Sequence, residues 1–161
     1  MNNRIICVIG LGYVGLQVAI AFSKIQITYA FDINKRKIRD LCRFIDVTNQ
    51  VSKKELKNKN LILTNDLNQI IKANFYIIAV PTPVNKDLTP NLQYIIKATS
   101  NLAKYLKKND IVVYESTVYP GLTEEICIPL LEKISKLKCG KDFNVSYSPE
   151  RINPNDKKHT F

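Results

Sequence analysis

The sequence predicts an α/β doubly wound Rossmann fold: a six-stranded, mostly parallel sheet in the order 3-2-1-4-5-6, with helices on both faces. Two observations predict it. Six short apolar runs alternate with amphipathic stretches along the 161 residues, the rhythm of a parallel sheet covered on both sides. The first of these runs passes into Gly10-Leu11-Gly12-Tyr13-Val14-Gly15, a glycine pattern that lies between a strand and a helix in such folds.

Each element follows from local composition. Residues 4–9 form the first strand, and 14–24 read as the helix that leaves the glycine turn. Residues 27–31 are a second strand ending at Asp32, and 34–44 carry Ile38, Leu41 and Cys42 at helical spacing. A polar stretch to Asn60 holds a short helix near 53–57. Residues 61–64 are a third strand and 66–71 a short helix. A fourth strand, 75–80, is stopped by Pro81-Thr82-Pro83, because proline lacks the N–H that a ladder needs. A long helix then opens at Pro90 and runs to about Lys107, with Leu92, Ile95, Ile96, Thr99, Leu102 and Leu106 on its inner face. Residues 110–114 are the fifth strand. Pro120-Gly121 starts a helix carrying Ile126, Leu130, Leu131, Ile134 and Leu137. Residues 144–148 are the sixth strand, ending at Pro149-Glu150. One domain over 1–153 is expected, with 154–161 as a tail.

Composition narrows the function classes. The net charge of +10 comes from lysines spread through helices and turns, in clusters such as Lys35-Arg36-Lys37 and Lys53-Lys54 that have no interleaved aromatics. That is a solvated surface, and no nucleic-acid partner is expected. Residues 5–22 are apolar over nearly the length of a bilayer span, but a β-branched start and glycines at 10, 12 and 15 break them into strand, turn and helix. Ser23-Lys24-Ile25 is a poor cleavage site, so no membrane segment and no secretory leader are expected. Cysteines 7, 42, 127 and 139 form no CxxC pair and no zinc spacing with His159, so inert thiols, no metal and a cytoplasmic setting are expected.

The glycine turn and its acid point to a dinucleotide. Gly10 would permit the tight turn, Gly12 the approach of a pyrophosphate to the backbone, and Gly15 close packing of helix on strand. Tyr13 and Val14 sit where the helix N-terminus offers peptide N–H groups and partial positive charge to phosphates. Asp32 stands twenty residues after Gly12, where a carboxylate can accept the adenosine ribose hydroxyls and repel a 2′-phosphate. NAD is therefore expected over NADP. Arg36 is expected either to stack on the adenine or to face solvent.

Three clusters fall at the carboxyl ends of strands, where doubly wound sheets bind ligands. They are Val80-Pro81-Thr82-Pro83, Glu115-Ser116-Thr117-Val118-Tyr119-Pro120-Gly121 and Tyr147-Ser148-Pro149-Glu150-Arg151. Each alone can be no more than a turn. Together, lining one crevice, they offer the Thr82 and Thr117 hydroxyls and a Glu150 carboxylate that can position water or take a proton.

These residues resemble the N-terminal domain of the UDP-glucose/GDP-mannose dehydrogenase family. The resemblance covers the whole chain: GLGYVG at 10–15, FDIN at 31–34, VPTP at 80–83, ESTVYPG at 115–121 and YSPERINP at 147–154. The last two motifs are most similar to the UDP-N-acetylhexosamine 6-dehydrogenase branch, which feeds Vi-type capsule and O-antigen sugars. Gln17 stands where the family has proline, and Asn155 where it has glycine.

The resemblance implies oxidation of a sugar C6 alcohol to a carboxylate with two NAD⁺. A cysteine in a C-terminal domain would trap the aldehyde as a thiohemiacetal, dividing one hard oxidation into two easier ones. It also implies that Val80, Pro81, Thr82 and Thr117 line the cofactor. Thr117 and Glu150 would order water or proton transfers as catalytic groups, and Arg151 would lie near the sugar. The UDP-sugar would be held through a domain beyond residue 161, and the full-length protein would be a homodimer. Residues 1–161 alone are expected to bind nucleotide without turnover; the alternative is a stand-alone or degenerate dinucleotide-binding module.

Overall fold

The computed structural model describes residues 4–149, so Glu150, Arg151 and the 154–161 tail lie outside the described residues. Six strands, β1 (Ile6–Ile9), β2 (Thr28–Phe31), β3 (Leu61–Thr64), β4 (Phe75–Ile78), β5 (Ile111–Tyr114) and β6 (Asn144–Tyr147), form one sheet in the order β3-β2-β1-β4-β5-β6. Every pairing is parallel. The central strands are in step: Ile9 pairs with Phe31 on one side and Ile78 on the other, so their carboxyl ends finish at one level.

Helices α1 (Tyr13–Ser23), α2 (Lys35–Cys42), α3 (Lys53–Leu56), α4 (Leu67–Ile70), α5 (Gln93–Ala103) and α6 (Ile128–Ser135) cover the two faces. Alternation along β1 sends Ile6 and Val8 to one core, with Leu16, Ala19, Ile20, Leu41 and Leu56, and Cys7 and Ile9 to the other, with Ile70, Tyr76, Leu102 and Tyr114. Both faces of β1 are therefore dry, which explains its unbroken apolar run. The buried phenols are satisfied: Tyr76 donates to the Ala73 carbonyl at 2.8 Å, and the Tyr114 hydroxyl bonds Thr99 Oγ1 at 2.9 Å.

Three details differ from the sequence expectation. The long helix begins at Gln93, because Pro90 instead pairs with Val84 in an antiparallel bridge; it ends at Ala103, short of Lys107. Ile96 is 38% exposed and lies off the inner face, which is the Ile95, Thr99, Leu102 stripe. The helix after Pro120-Gly121 does open there, with Gly121 (φ +96°) accepting from Glu125 N at 2.8 Å, but its first turn is π-helical over Thr123–Cys127, before α6. In an unbroken α-helix the ring of Pro129 would strike the carbonyl four residues back, that of Glu125; the wider turn removes that clash.

The segment after α2 is organised by one carboxylate. Asp46 accepts from Thr48 N, Thr48 Oγ1, Gln50 N and Val51 N at 2.7–3.1 Å. Burial pushes this carboxyl up, but the Thr48, Gln50 and Val51 bonds outweigh it and hold Asp46 below its ordinary value. A carboxyl lowered in the folded state adds stability above its unfolded value, about 3.9, and loses it as pH falls through the lower folded value. Asp46→Asn is expected to cost about 1 kcal/mol near neutral pH, with the difference fading as the wild type is acidified below roughly pH 4. Urea melts across that range check it; a constant difference at every pH would contradict the assignment.

Candidate functional site

Strand order reverses at β1, whose neighbours β2 and β4 send their connections to opposite faces. The strand ends there open into a crevice of about 510 Å³, within the range of small-molecule sites. Residues of the glycine turn form one wall. Gly10 sits at φ +95°, and a Cβ on it would lie 2.9 Å from the Ala79 carbonyl oxygen. Its N–H donates to the Phe31 carbonyl at 2.9 Å, which ties the turn to β2. Gly15 does not line the crevice; a Cβ there would lie 1.9 Å from the Gly10 carbonyl oxygen, so its place is the tight packing of α1 under the turn.

Gly12 differs from both. A Cβ at Gly12 would meet nothing within 4 Å, so no protein atom demands a glycine there. It is the N-cap of α1, and no side chain caps that helix. The first turn of α1, with Tyr13 and Val14, therefore turns peptide N–H groups and the positive end of the helix dipole toward the crevice. Space beside a bare backbone at a helix start fits a pyrophosphate.

Asp32 is buried at the rim, 7% exposed. Its Oδ2 accepts from Leu11 N at 3.0 Å and from Lys37 Nζ at 2.8 Å, and its Oδ1 accepts from Asn34 N at 2.8 Å. The carboxylate thus joins the glycine turn, the end of β2 and the first turn of α2. Three of its roughly four acceptor positions are used, which leaves room for a ribose hydroxyl. Lys37 was not marked by sequence reasoning, although it lies five residues after Asp32 on a helix whose N-cap, Asn34, accepts from Lys37 N at 3.1 Å. The Arg36 side chain is 84% exposed, 3.9 Å from Asp40 and outside the crevice lining.

The far wall is built by two strand-end loops. Val80, Pro81, Thr82 and Thr117 all line the crevice, together with Glu115 and Ser116. The Thr82 hydroxyl donates to the Thr117 carbonyl, and the Ser116 hydroxyl donates to the Val80 carbonyl at 2.8 Å. These bonds lace the loop after β4 to the loop after β5. The third cluster is not brought to this wall among the described residues: Tyr147, Ser148 and Pro149 are not part of the lining, and Glu150 and Arg151 are outside the described range. Sequence reasoning also missed α5, which contributes Tyr94, Lys97, Ala98 and Asn101 at helical spacing.

Among the described residues no cysteine lines the crevice. Among the described residues no group of three His, Cys, Asp or Glu is gathered to hold a metal ion. Burial raises the Cys7 thiol far above its ordinary value and also raises Cys127, so both stay protonated. Among the described residues no helix is long and apolar enough to cross a membrane.

Residues 4–161 match the model of the UDP-glucose/GDP-mannose dehydrogenase family, NAD binding domain. The chain is 54% identical to protein CapL of Staphylococcus aureus over 159 residues, 99% of this chain and 38% of that protein. It is 48% identical to a UDP-N-acetyl-D-glucosamine 6-dehydrogenase of Pseudomonas aeruginosa, again over 99% of this chain and 38% of that one. A solved UDP-D-ManNAc dehydrogenase from Pyrococcus horikoshii superposes with a TM-score of 0.83 at 31% identity, over 93% of this chain and 37% of the other. The chain thus spans little more than a third of the length of these relatives.

Proposed function

The chain belongs to the UDP-glucose/GDP-mannose dehydrogenase family, as its NAD-binding domain, and from that premise we propose that its crevice binds NAD and forms the cofactor half of a nucleotide-sugar 6-dehydrogenase. The observation that carries this reading is the open space beside Gly12 facing the Asp32 carboxylate across one strand. Peptide N–H groups of the first turn of α1 hold the pyrophosphate without a charged side chain. Asp32 accepts from the adenosine ribose, and Lys37 fixes its carboxylate. Bound NAD supplies a hydride acceptor for carbon 6 of the sugar.

Val80 and Pro81 form the apolar, water-excluding flank at the end of β4, and the Thr82–Thr117 bond sets the position of that flank. Thr117, with Glu150 from beyond the described residues, orders the water and proton transfers; Arg151 meets the sugar side. The proposed substrate is a UDP-N-acetylhexosamine oxidised to its uronic acid, a precursor for capsule or O-antigen polymers. The similarity to the Pseudomonas aeruginosa 6-dehydrogenase supports this branch. The covalent step, the UDP site and homodimerisation are assigned to chain beyond residue 161. Four free cysteines support a reducing, cytoplasmic setting.

The purified chain is expected to bind NAD⁺ at least about tenfold more tightly than NADP⁺, a difference of about 1.4 kcal/mol, because a 2′-phosphate meets Asp32. Calorimetric titration with both nucleotides measures the ratio. Preference for NADP⁺, or no binding of either, would remove the assignment.

A further inference from the structure

We propose that Asn101 reads the base of the dinucleotide and makes the crevice selective for adenine. This rests on the NAD reading above. The crevice continues past Asp32 as a slot on one face of the sheet, between α4, which packs on β2, and α5, which packs on β4. Leu67 and Ile70 form one wall, Ala98 and Leu102 the other. Ile70 and Leu102 are fully buried, so the walls are fixed and apolar. A slot of this kind takes a flat aromatic ring. Asp32 at its rim places the ribose, and the base is one glycosidic bond further on.

The slot carries one amide positioned to read that base. Asn101 lines it and is half-buried, and among the described residues its side chain makes no hydrogen bond. The other asparagine of the crevice, Asn34, has its side-chain oxygen committed to Lys37 N at 3.1 Å. An asparagine amide holds a donor and an acceptor in one plane. Adenine offers the complement, an exocyclic N6 amine beside a ring-nitrogen acceptor. The edge read is the N6/N7 edge: hypoxanthine presents two acceptors there, O6 and N7, so one of the amide's two bonds is lost, and its O6 and N1–H pair lies on the opposite edge. Lys97, one turn away on the same stripe, is a donor only and favours a carbonyl over an amine. The two side chains therefore predict opposite base preferences, and the base can be varied without touching ribose, pyrophosphate or nicotinamide.

The test compares NAD⁺ with nicotinamide hypoxanthine dinucleotide by calorimetric titration, with thermal melts to confirm folding. The wild-type chain is expected to bind NAD⁺ about tenfold more tightly. Asn101→Leu is expected to bring the ratio to about one, chiefly by weakening NAD⁺. Asn101→Asp, which accepts but does not donate, keeps the preference for the amine. Equal binding of the two dinucleotides by the wild type, a hypoxanthine preference, or an unchanged ratio in Asn101→Leu would overturn the proposal while leaving the NAD reading intact. Failure of the wild type to bind either dinucleotide would overturn both.

Discussion

Gly15→Ala is expected to destabilise the domain by about 3 kcal/mol or more, whereas Gly12→Ala leaves the fold nearly unchanged and sharply weakens nucleotide binding. The contrast follows from what an added methyl would touch. At Gly15 it lies 1.9 Å from the Gly10 carbonyl oxygen and 3.1 Å from Ala79 Cβ. A backbone carbonyl held by the turn cannot swing aside as a side-chain end would, so α1 must lift from β1. For a domain of this size the loss corresponds to a melting shift of roughly 6–12 °C.

At Gly12 the methyl meets no protein atom within 4 Å. Its only obstacle is a ligand that lies against the peptide, so stability should change by less than about 1 kcal/mol while NAD⁺ affinity falls by about 100-fold. Thermal melts and titrations of the two variants measure both quantities. Normal NAD⁺ binding by Gly12→Ala would remove the pyrophosphate from this turn. Unchanged melting of Gly15→Ala would show that the helix–strand packing described here is wrong.

Asp32→Ala is expected to damage both stability and selectivity. The carboxylate accepts from Leu11 N, a buried contact, and pairs with Lys37, whose side chain is 28% exposed. Removing it leaves a buried N–H without its partner and a half-buried cation alone, a loss of about 2–3 kcal/mol. Affinity for NAD⁺ should fall by about 30-fold or more with the ribose acceptor gone. NADP⁺ should suffer less, because Lys37, released from its pair, can meet a 2′-phosphate. The NAD⁺ to NADP⁺ ratio should therefore move toward one. A variant that keeps wild-type melting and wild-type selectivity would separate Asp32 from both roles.

Much of this site was legible in the sequence because it depends on the backbone. Gly10, Gly12 and Asp32 occupy fixed offsets from the ends of β1 and β2, and parallel strands in step bring those ends to one level. Thr82 and Thr117 were legible for the same reason, as residues just beyond β4 and β5. What depends on side-chain direction was not legible. Lys37 and Arg36 are neighbours in α2, yet one turns to Asp32 and the other to Asp40, a choice set by helix phase relative to the sheet. The α5 stripe was hidden because its inner-face pattern, Ile95, Thr99 and Leu102, masks the adjacent row that looks into the crevice. The π-helical turn before Pro129 had a signal in the proline itself, but not in the periodicity, which only loses phase there.

The crossed bonds between the loops after β4 and β5 have a mechanical consequence. Thr82 reaches to the neighbouring loop while Ser116 reaches back, so the attachments run in opposite senses and neither segment can slide past the other. The two loops are thereby joined at two points, and cutting either bond, as in Thr82→Val or Ser116→Ala, leaves the other to hold them together alone.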